Sequence, residues 1–167
     1  MALFTIGLLI FAPMLIEAAR ARRNERAQKA RGGIEPQDDV YNIMRMAYPS
    51  AFLAMLAEQA VRAPTSGSTV VVVIGVVVFA AAKIIKWSAI LALGRCWTFR
   101  VIVVPGDTLV ANGPYRYFRH PNYVGVIGEL LGAALMTRAL VTGPIAVIVF
   151  AVLLYKRIAV EEGALKI

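Results

Sequence analysis

Apolar runs near the length that spans a bilayer as a helix, about 20 residues, recur along most of this chain, separated by short polar stretches. Such a succession makes the bilayer the solvent and the chain polytopic. Composition agrees: 59% hydrophobic residues and a mean hydropathy of +0.70 exceed what a soluble core built from 167 residues needs. The Val70 to Ala82 run is rich in valine and could be a strand on propensity alone. An unpaired strand in lipid would leave its backbone polar groups unsatisfied, so it is expected to be a helix.

The polar punctuation orders these runs. The first, Ala2 to Ala18, carries its positive charges behind it, the reverse of a secretory signal, and is expected to be retained. Arg20, Arg22, Arg23, Arg26, Lys29 and Arg31 follow at once, and clusters of this kind stay cytoplasmic, which puts the amino terminus outside. Gly32 to Val40 (GGIEPQDDV) reads as a cytosolic loop, and Ala63 to Ser68 (APTSGS) as a short outer turn. The second helix contains Pro49 between Arg45 and Glu58 and is expected to kink or lie obliquely. Lys83 and Lys86 share one face of the third helix, either snorkelling to lipid phosphates or touching an anionic ligand. Gly125, Gly128 and Gly132 give the fourth helix a small-residue face for close packing. Lys156 and Arg157 end the fifth on the cytosolic side, while Arg138 on the outer side counts against this topology and is outweighed. The expected fold is all-α, with about five transmembrane helices near 2–19, 41–61, 69–94, 121–137 and 140–162 and a cytosolic pocket, in one domain over 1–167 of a bacterial inner-membrane protein.

The net charge of +8 sits mainly beside apolar runs and lacks aromatic interleaving, so membrane lipids rather than nucleic acid are its counterpart. One cysteine, Cys96, excludes an internal disulfide, and one Cys with one His makes a poor metal site. The chemistry-bearing residues gather in two places. Arg119-His120-Pro121-Asn122-Tyr123 lies where a long cytosolic loop becomes the fourth helix, with Pro121 suited to the first turn and the only histidine beside it. Such a helix start offers orphan N–H groups to a ligand; headgroup contact by Arg119 and His120 is the plainer reading. Arg157, Glu161 and Glu162 follow the fifth helix on the same side, where Arg157 and Glu161 are four apart and could simply be an ion pair. Adjoining ends of consecutive helices allow both clusters to form one pocket.

Leu109-Val110 through Gly113-Pro114-Tyr115-Arg116, then Arg119-His120-Pro121-Asn122-Tyr123, a glycine-bearing helix, and Arg157 with Glu161-Glu162 resemble the isoprenylcysteine carboxyl methyltransferase family of membrane enzymes. Arg22-Arg23-Asn24-Glu25-Arg26, Gly32-Gly33-Ile34-Glu35 and Val103-Val104-Pro105-Gly106 are similar to its small bacterial branch that includes alkylpyrone O-methyltransferases. The resemblance implies S-adenosylmethionine as methyl donor, and no strand followed by GxGxxG is present to suggest a soluble dinucleotide fold. It implies donor contacts from Leu109, Val110, Gly113, Tyr115, His120, Pro121, Tyr123, Glu161 and Glu162, with Leu109 and Val110 bounding adenine. Arg119 or Arg157 would hold an anionic acceptor, and Asn122 and the intramembrane Glu129 would meet its headgroup. For Glu129, a protonated helix–helix hydrogen bond is the alternative.

The expected reaction is O-methylation of a lipophilic acidic acceptor, a small molecule of alkylpyrone or alkylresorcinol type or an isoprenylcysteine-type carboxylate, reaching the site from the bilayer. After Glu161-Glu162 this chain reads Gly163-Ala164-Leu165-Lys166-Ile167 where prenylcysteine enzymes have a tyrosine-bearing tail, which weighs against a prenylated protein substrate. A phenolic acceptor would make His120 a candidate base. The alternatives are phospholipid or amine N-methylation on the same scaffold, an NADPH-dependent reductase of related architecture, and a non-enzymatic transporter component.

Overall fold

The computed structural model of the protein describes residues 2–36, 39–62 and 69–165. The APTSGS turn, the end of the carboxyl-terminal tail and part of the GGIEPQDDV loop lie outside them. Five α-helices carry the chain: α1 (Ala2–Ala30), α2 (Tyr41–Val61), α3 (Thr69–Leu93), α4 (Pro121–Thr137) and α5 (Thr142–Leu165), with 3-10 turns at Gly94–Cys96 and Gly113–Arg116. Among the described residues the only β pairing is one antiparallel bridge, Ile34 to Val103. The all-α expectation therefore holds, and the valine-rich run lies within α3. Three segments, Leu3–Ala30, Thr69–Cys96 and Thr142–Leu165, are long and apolar enough to cross a membrane. The other two fall short for separate reasons: α4 has 17 residues, about 26 Å of helix, and α2 carries Arg45 and Glu58.

The first helix is longer than the expected 2–19. Beyond Ala19 the sequence is charged but built from strong helix formers with no Gly or Pro until Gly32, so nothing stops the helix where its apolar part ends. It stops in a Schellman motif: Gly32 takes φ +82°, its N–H reaches Lys29 O, and the Gly33 N–H reaches Gln28 O at 3.0 Å. The extension is tied across the molecule. Asn24 Nδ2 donates to Gly94 O at 2.9 Å and Trp97 O at 2.7 Å, and Gln28 Nε2 donates to Arg95 O at 2.8 Å.

Helices α3 and α4 form the tightest pair because small residues let their backbones approach. A Cβ built on Gly132 would sit 2.6 Å from Phe79 N, and one on Gly75 would sit 2.6 Å from Met136 N. Phe52 and Met55 of α2, Leu130 and Ala133 of α4, and Phe150 and Leu154 of α5 fill the space where the helices meet. At the far end from the histidine, Glu58 of α2 accepts from the N–H groups of Val141 and Thr142 and from the Thr142 hydroxyl, so one carboxylate satisfies the start of α5. Helix α2 runs unbroken through Pro49.

Candidate active site

The loop from Trp97 to Asn112 leads into a 3-10 turn over Gly113–Arg116 that Gly113 opens at φ +58°. His120 then precedes α4, with Pro121 in the first turn, as the sequence predicts. His120 and Tyr123 stack with ring centroids 5.4 Å apart and an interplanar angle of 12°. Both reach across to α5: His120 Nε2 lies 3.2 Å from Glu162 Oε1, and the Tyr123 hydroxyl donates to Glu161 Oε2 at 2.5 Å. The two clusters, 38 and 42 residues apart along the chain in these pairs, are thus one constellation.

Arg157 is buried, and its hydrogen bonds go to partners other than Glu161. Its Nε donates to the Tyr123 hydroxyl at 3.0 Å, one terminal nitrogen donates to Asp39 Oδ1 at 2.7 Å, and the other donates to Phe99 O. With the side chain only 6% exposed, this is a buried guanidinium fixed from three directions. Arg119 contrasts with it: 76% exposed and only 3.8 Å from Glu162 Oε1, a separation that leaves its donors largely free.

Around this constellation is a cavity of about 510 Å³, within the roughly 300–1,000 Å³ usual for small-molecule sites. Leu109, Val110, Tyr115, Arg119, His120, Asn122, Tyr123, Arg157 and Glu161 all line it. Gly113, Pro121, Glu162 and Glu129 do not, although Glu162 holds His120 and Pro121 starts α4. Phe11, Met14 and Leu15 of α1, Met44 and Pro49 of α2, and Phe150 of α5 make its apolar part. Burial, with the Glu161 charge adding to it, pushes the Tyr115 hydroxyl well above its usual range, so Tyr115 stays a neutral donor. Two buried polar atoms on cavity-lining residues, Asn122 Oδ1 and Trp97 Nε1, have no partner among the described residues. An unpartnered buried acceptor and an unpartnered buried donor on residues that line the cavity fit a ligand that carries both kinds of group.

Lys83 and Lys86 turn to protein carboxylates rather than outward to lipid phosphates. They pair with two buried carboxylates, Lys83 Nζ with Glu17 at 2.9 Å and Glu129 at 3.0 Å, Lys86 Nζ with Glu17 at 2.8 Å and Glu129 at 3.3 Å. Tyr48 completes the set with a 2.7 Å hydrogen bond to Glu129 Oε2. Glu129 is therefore compensated by two cations inside the bundle. Asp39, Glu17 and Tyr48 escaped the sequence reading, since their partners lie 118, 66 and 81 residues away. An acidic residue at the end of the first apolar run, Glu17, was the one available signal.

Residues 72–167 match the model of the isoprenylcysteine carboxyl methyltransferase (ICMT) family. The chain belongs to this family. The match takes in both halves of the constellation and most of α3, whereas Asp39, Glu17 and Tyr48 precede it. The chain is also similar to "Uncharacterized protein YpbQ" of Bacillus subtilis (strain 168), 35% identical over 90% of this chain and 88% of that protein. A Haemophilus influenzae (strain ATCC 51907 / DSM 11121 / KW20 / Rd) protein titled "Uncharacterized protein" is 26% identical over 86% of this chain and 83% of its own length. No solved structure matches the chain significantly. ICMT family membership, together with the apolar helices, makes this an integral-membrane protein with the character of a methyltransferase.

Proposed function

We propose that this ICMT-family protein transfers a methyl group from S-adenosylmethionine to an oxygen of a lipophilic acidic acceptor, of alkylpyrone or alkylresorcinol type or an isoprenylcysteine-type carboxylate. The observation that carries the reading is one cavity with two characters. Its polar part holds His120, Tyr123, Arg157 and Glu161; its apolar part lies between Met14 and Leu15 of α1 and Met44 and Pro49 of α2. That combination suits a charged donor meeting an amphiphile whose tail stays in lipid.

S-adenosylmethionine, when bound, supplies an electrophilic methyl group on a sulfonium. Glu161 uses Oε2 toward Tyr123 and keeps its other oxygen for hydroxyl or ammonium groups of the methyl donor, while Glu162, outside the cavity lining, holds His120 through Oε1. The stacked His120 and Tyr123 rings provide an aromatic face for a cation, and the open Asn122 Oδ1 and Trp97 Nε1 add one acceptor and one donor. Leu109 and Val110 offer apolar surface to a flat base. Arg119, exposed and weakly paired, receives the acceptor's anion in bidentate geometry. Arg157 keeps two of its five N–H donors for the same purpose. An acceptor already ionised needs no base, so the protein aligns the oxygen with the methyl and keeps water from the line of attack. The arginine cluster behind α1 supports an orientation with this site in the cytosol and the amino terminus outside a bacterial inner membrane.

Incubating the purified protein with methyl-labelled S-adenosylmethionine and a bacterial lipid extract, then identifying the labelled product, tests this. Label on the oxygen of an acidic, long-chain lipid is expected. Label on nitrogen would replace the reading by amine methylation. No label, with binding of NADPH instead, would replace it by a reductase.

A further inference from the structure

Asp39 stands on the α1–α2 connection, ahead of the segment that matches the family model, yet its carboxylate makes three hydrogen bonds at the site. Its side chain is only 5% exposed. Oδ1 accepts from the Tyr41 N–H at 3.1 Å and from Arg157 at 2.7 Å, and Oδ2 accepts from the Val101 N–H at 3.2 Å. One carboxylate thus joins the start of α2, the cavity-lining loop at Val101 and the guanidinium of α5.

The consequence runs two residues further. A guanidinium only donates, so when Arg157 Nε points at the Tyr123 oxygen, the tyrosine must direct its own proton elsewhere. The acceptor in reach is Glu161 Oε2, at 2.5 Å. The order Asp39, Arg157, Tyr123, Glu161 is therefore a chain of hydrogen bonds in which donation runs outward from the guanidinium to a carboxylate at each end. It ends on the carboxylate assigned above to the methyl donor. Without Asp39 the guanidinium keeps a positive charge in a buried site and is free to swing toward Glu161, four residues along the same helix. That swing would displace Tyr123 and occupy the oxygens that face the cavity.

We propose that Asp39 is a positioning residue for the methyl-donor half of the site: it holds Arg157 away from Glu161, so that Tyr123 orients Glu161 and leaves its second oxygen open to ligand. The inference rests on the reading of the cavity as an S-adenosylmethionine site. It assigns to the α1–α2 connection a part in donor binding that the family-matched segment cannot supply alone.

Asp39 and Tyr123 each hydrogen-bond Arg157 and communicate through it, which makes a double-mutant cycle decisive. The probe is S-adenosylmethionine, titrated calorimetrically into purified wild type, Asp39→Asn, Tyr123→Phe and the double variant. Folding of each is verified by thermal unfolding. Each single variant is expected to weaken donor binding about tenfold, the scale of one hydrogen bond to a charged group, and the double variant to be no weaker than the poorer single one. Wild-type affinity in Asp39→Asn, or single losses that multiply in the double variant, overturns the proposal. Should Asp39→Asn not fold, Asp39→Glu, which keeps the charge and moves the carboxylate by one methylene, takes its place in the cycle under the same criteria. Absence of donor binding in the wild type itself overturns the underlying reading of the site, a result distinct from altered coupling between the variants.

Discussion

Among the described residues, the buried charged side chains Glu17, Lys86, Glu129 and Arg157 each have an identifiable partner, and the cost of burying them depends on that partner staying in place. Lys86 is 3% exposed between Glu17 and Glu129, so Lys86→Met would leave two carboxylates sharing Lys83 alone. The expected loss is about 3–5 kcal/mol of stability, as for other broken buried pairs, measurable by denaturant unfolding in detergent. A variant as stable as the wild type would contradict a compensated network. This set was only half legible in the sequence. The i, i+3 spacing put the two lysines on one face, but lipid phosphates and a ligand were as reasonable as partners until the fold brought Glu17 and Glu129 beside them. Arg157 is similar: a pair with its neighbour at i+4 was the plainer alternative in the sequence, and Asp39, 118 residues distant, is the actual partner.

Among the elements, α3 and α4 were the most legible, because glycines at 125, 128 and 132 state a close helix contact in sequence terms. Gly132→Ala would place its Cβ 2.6 Å from Phe79 N and is expected to cost about 1–3 kcal/mol. Gly163→Ala meets nothing within 4 Å and is expected to be neutral or slightly stabilising; equal effects at both positions would contradict the packing. The reach of α1 was less legible, since the arginine cluster marks where the membrane ends and not where the helix does. Beyond that helix, Glu35 links the connection to Lys29, at 3.1 Å, and to Arg100. Burial raises its carboxyl, but the hydrogen bonds from Arg100 and Lys29 outweigh that and hold it below the usual range. A carboxyl lowered in this way stabilises the folded state at neutral pH, and the contribution disappears as pH falls below the ordinary glutamate value of about 4.3 and through the lowered one. Glu35→Gln should accordingly flatten the acid side of a stability-versus-pH curve and leave wild type and variant equal in acid. A steeper acid loss in the variant would contradict the pairing.

For the molecule as a whole, the two halves of the site were legible because each combines residue types that membrane helices rarely carry, at helix ends on one side of the bilayer. The third contribution, from the α1–α2 connection, was not, because Asp39 reads as a polar loop residue until α5 is laid beside it. Cys96, the only cysteine and an exposed one, reports the orientation of this assembly. In intact spheroplasts it should resist a membrane-impermeant maleimide and react in inverted vesicles; the opposite pattern would reverse the topology proposed from the arginine cluster.

The site itself is tested most directly by calorimetric titration of the purified protein with S-adenosylmethionine, beside His120→Ala and Glu162→Ala. The account predicts saturable binding in the wild type and affinity weaker by about tenfold or more in each variant, whereas no binding in the wild type, or unchanged affinity in both variants, would contradict it.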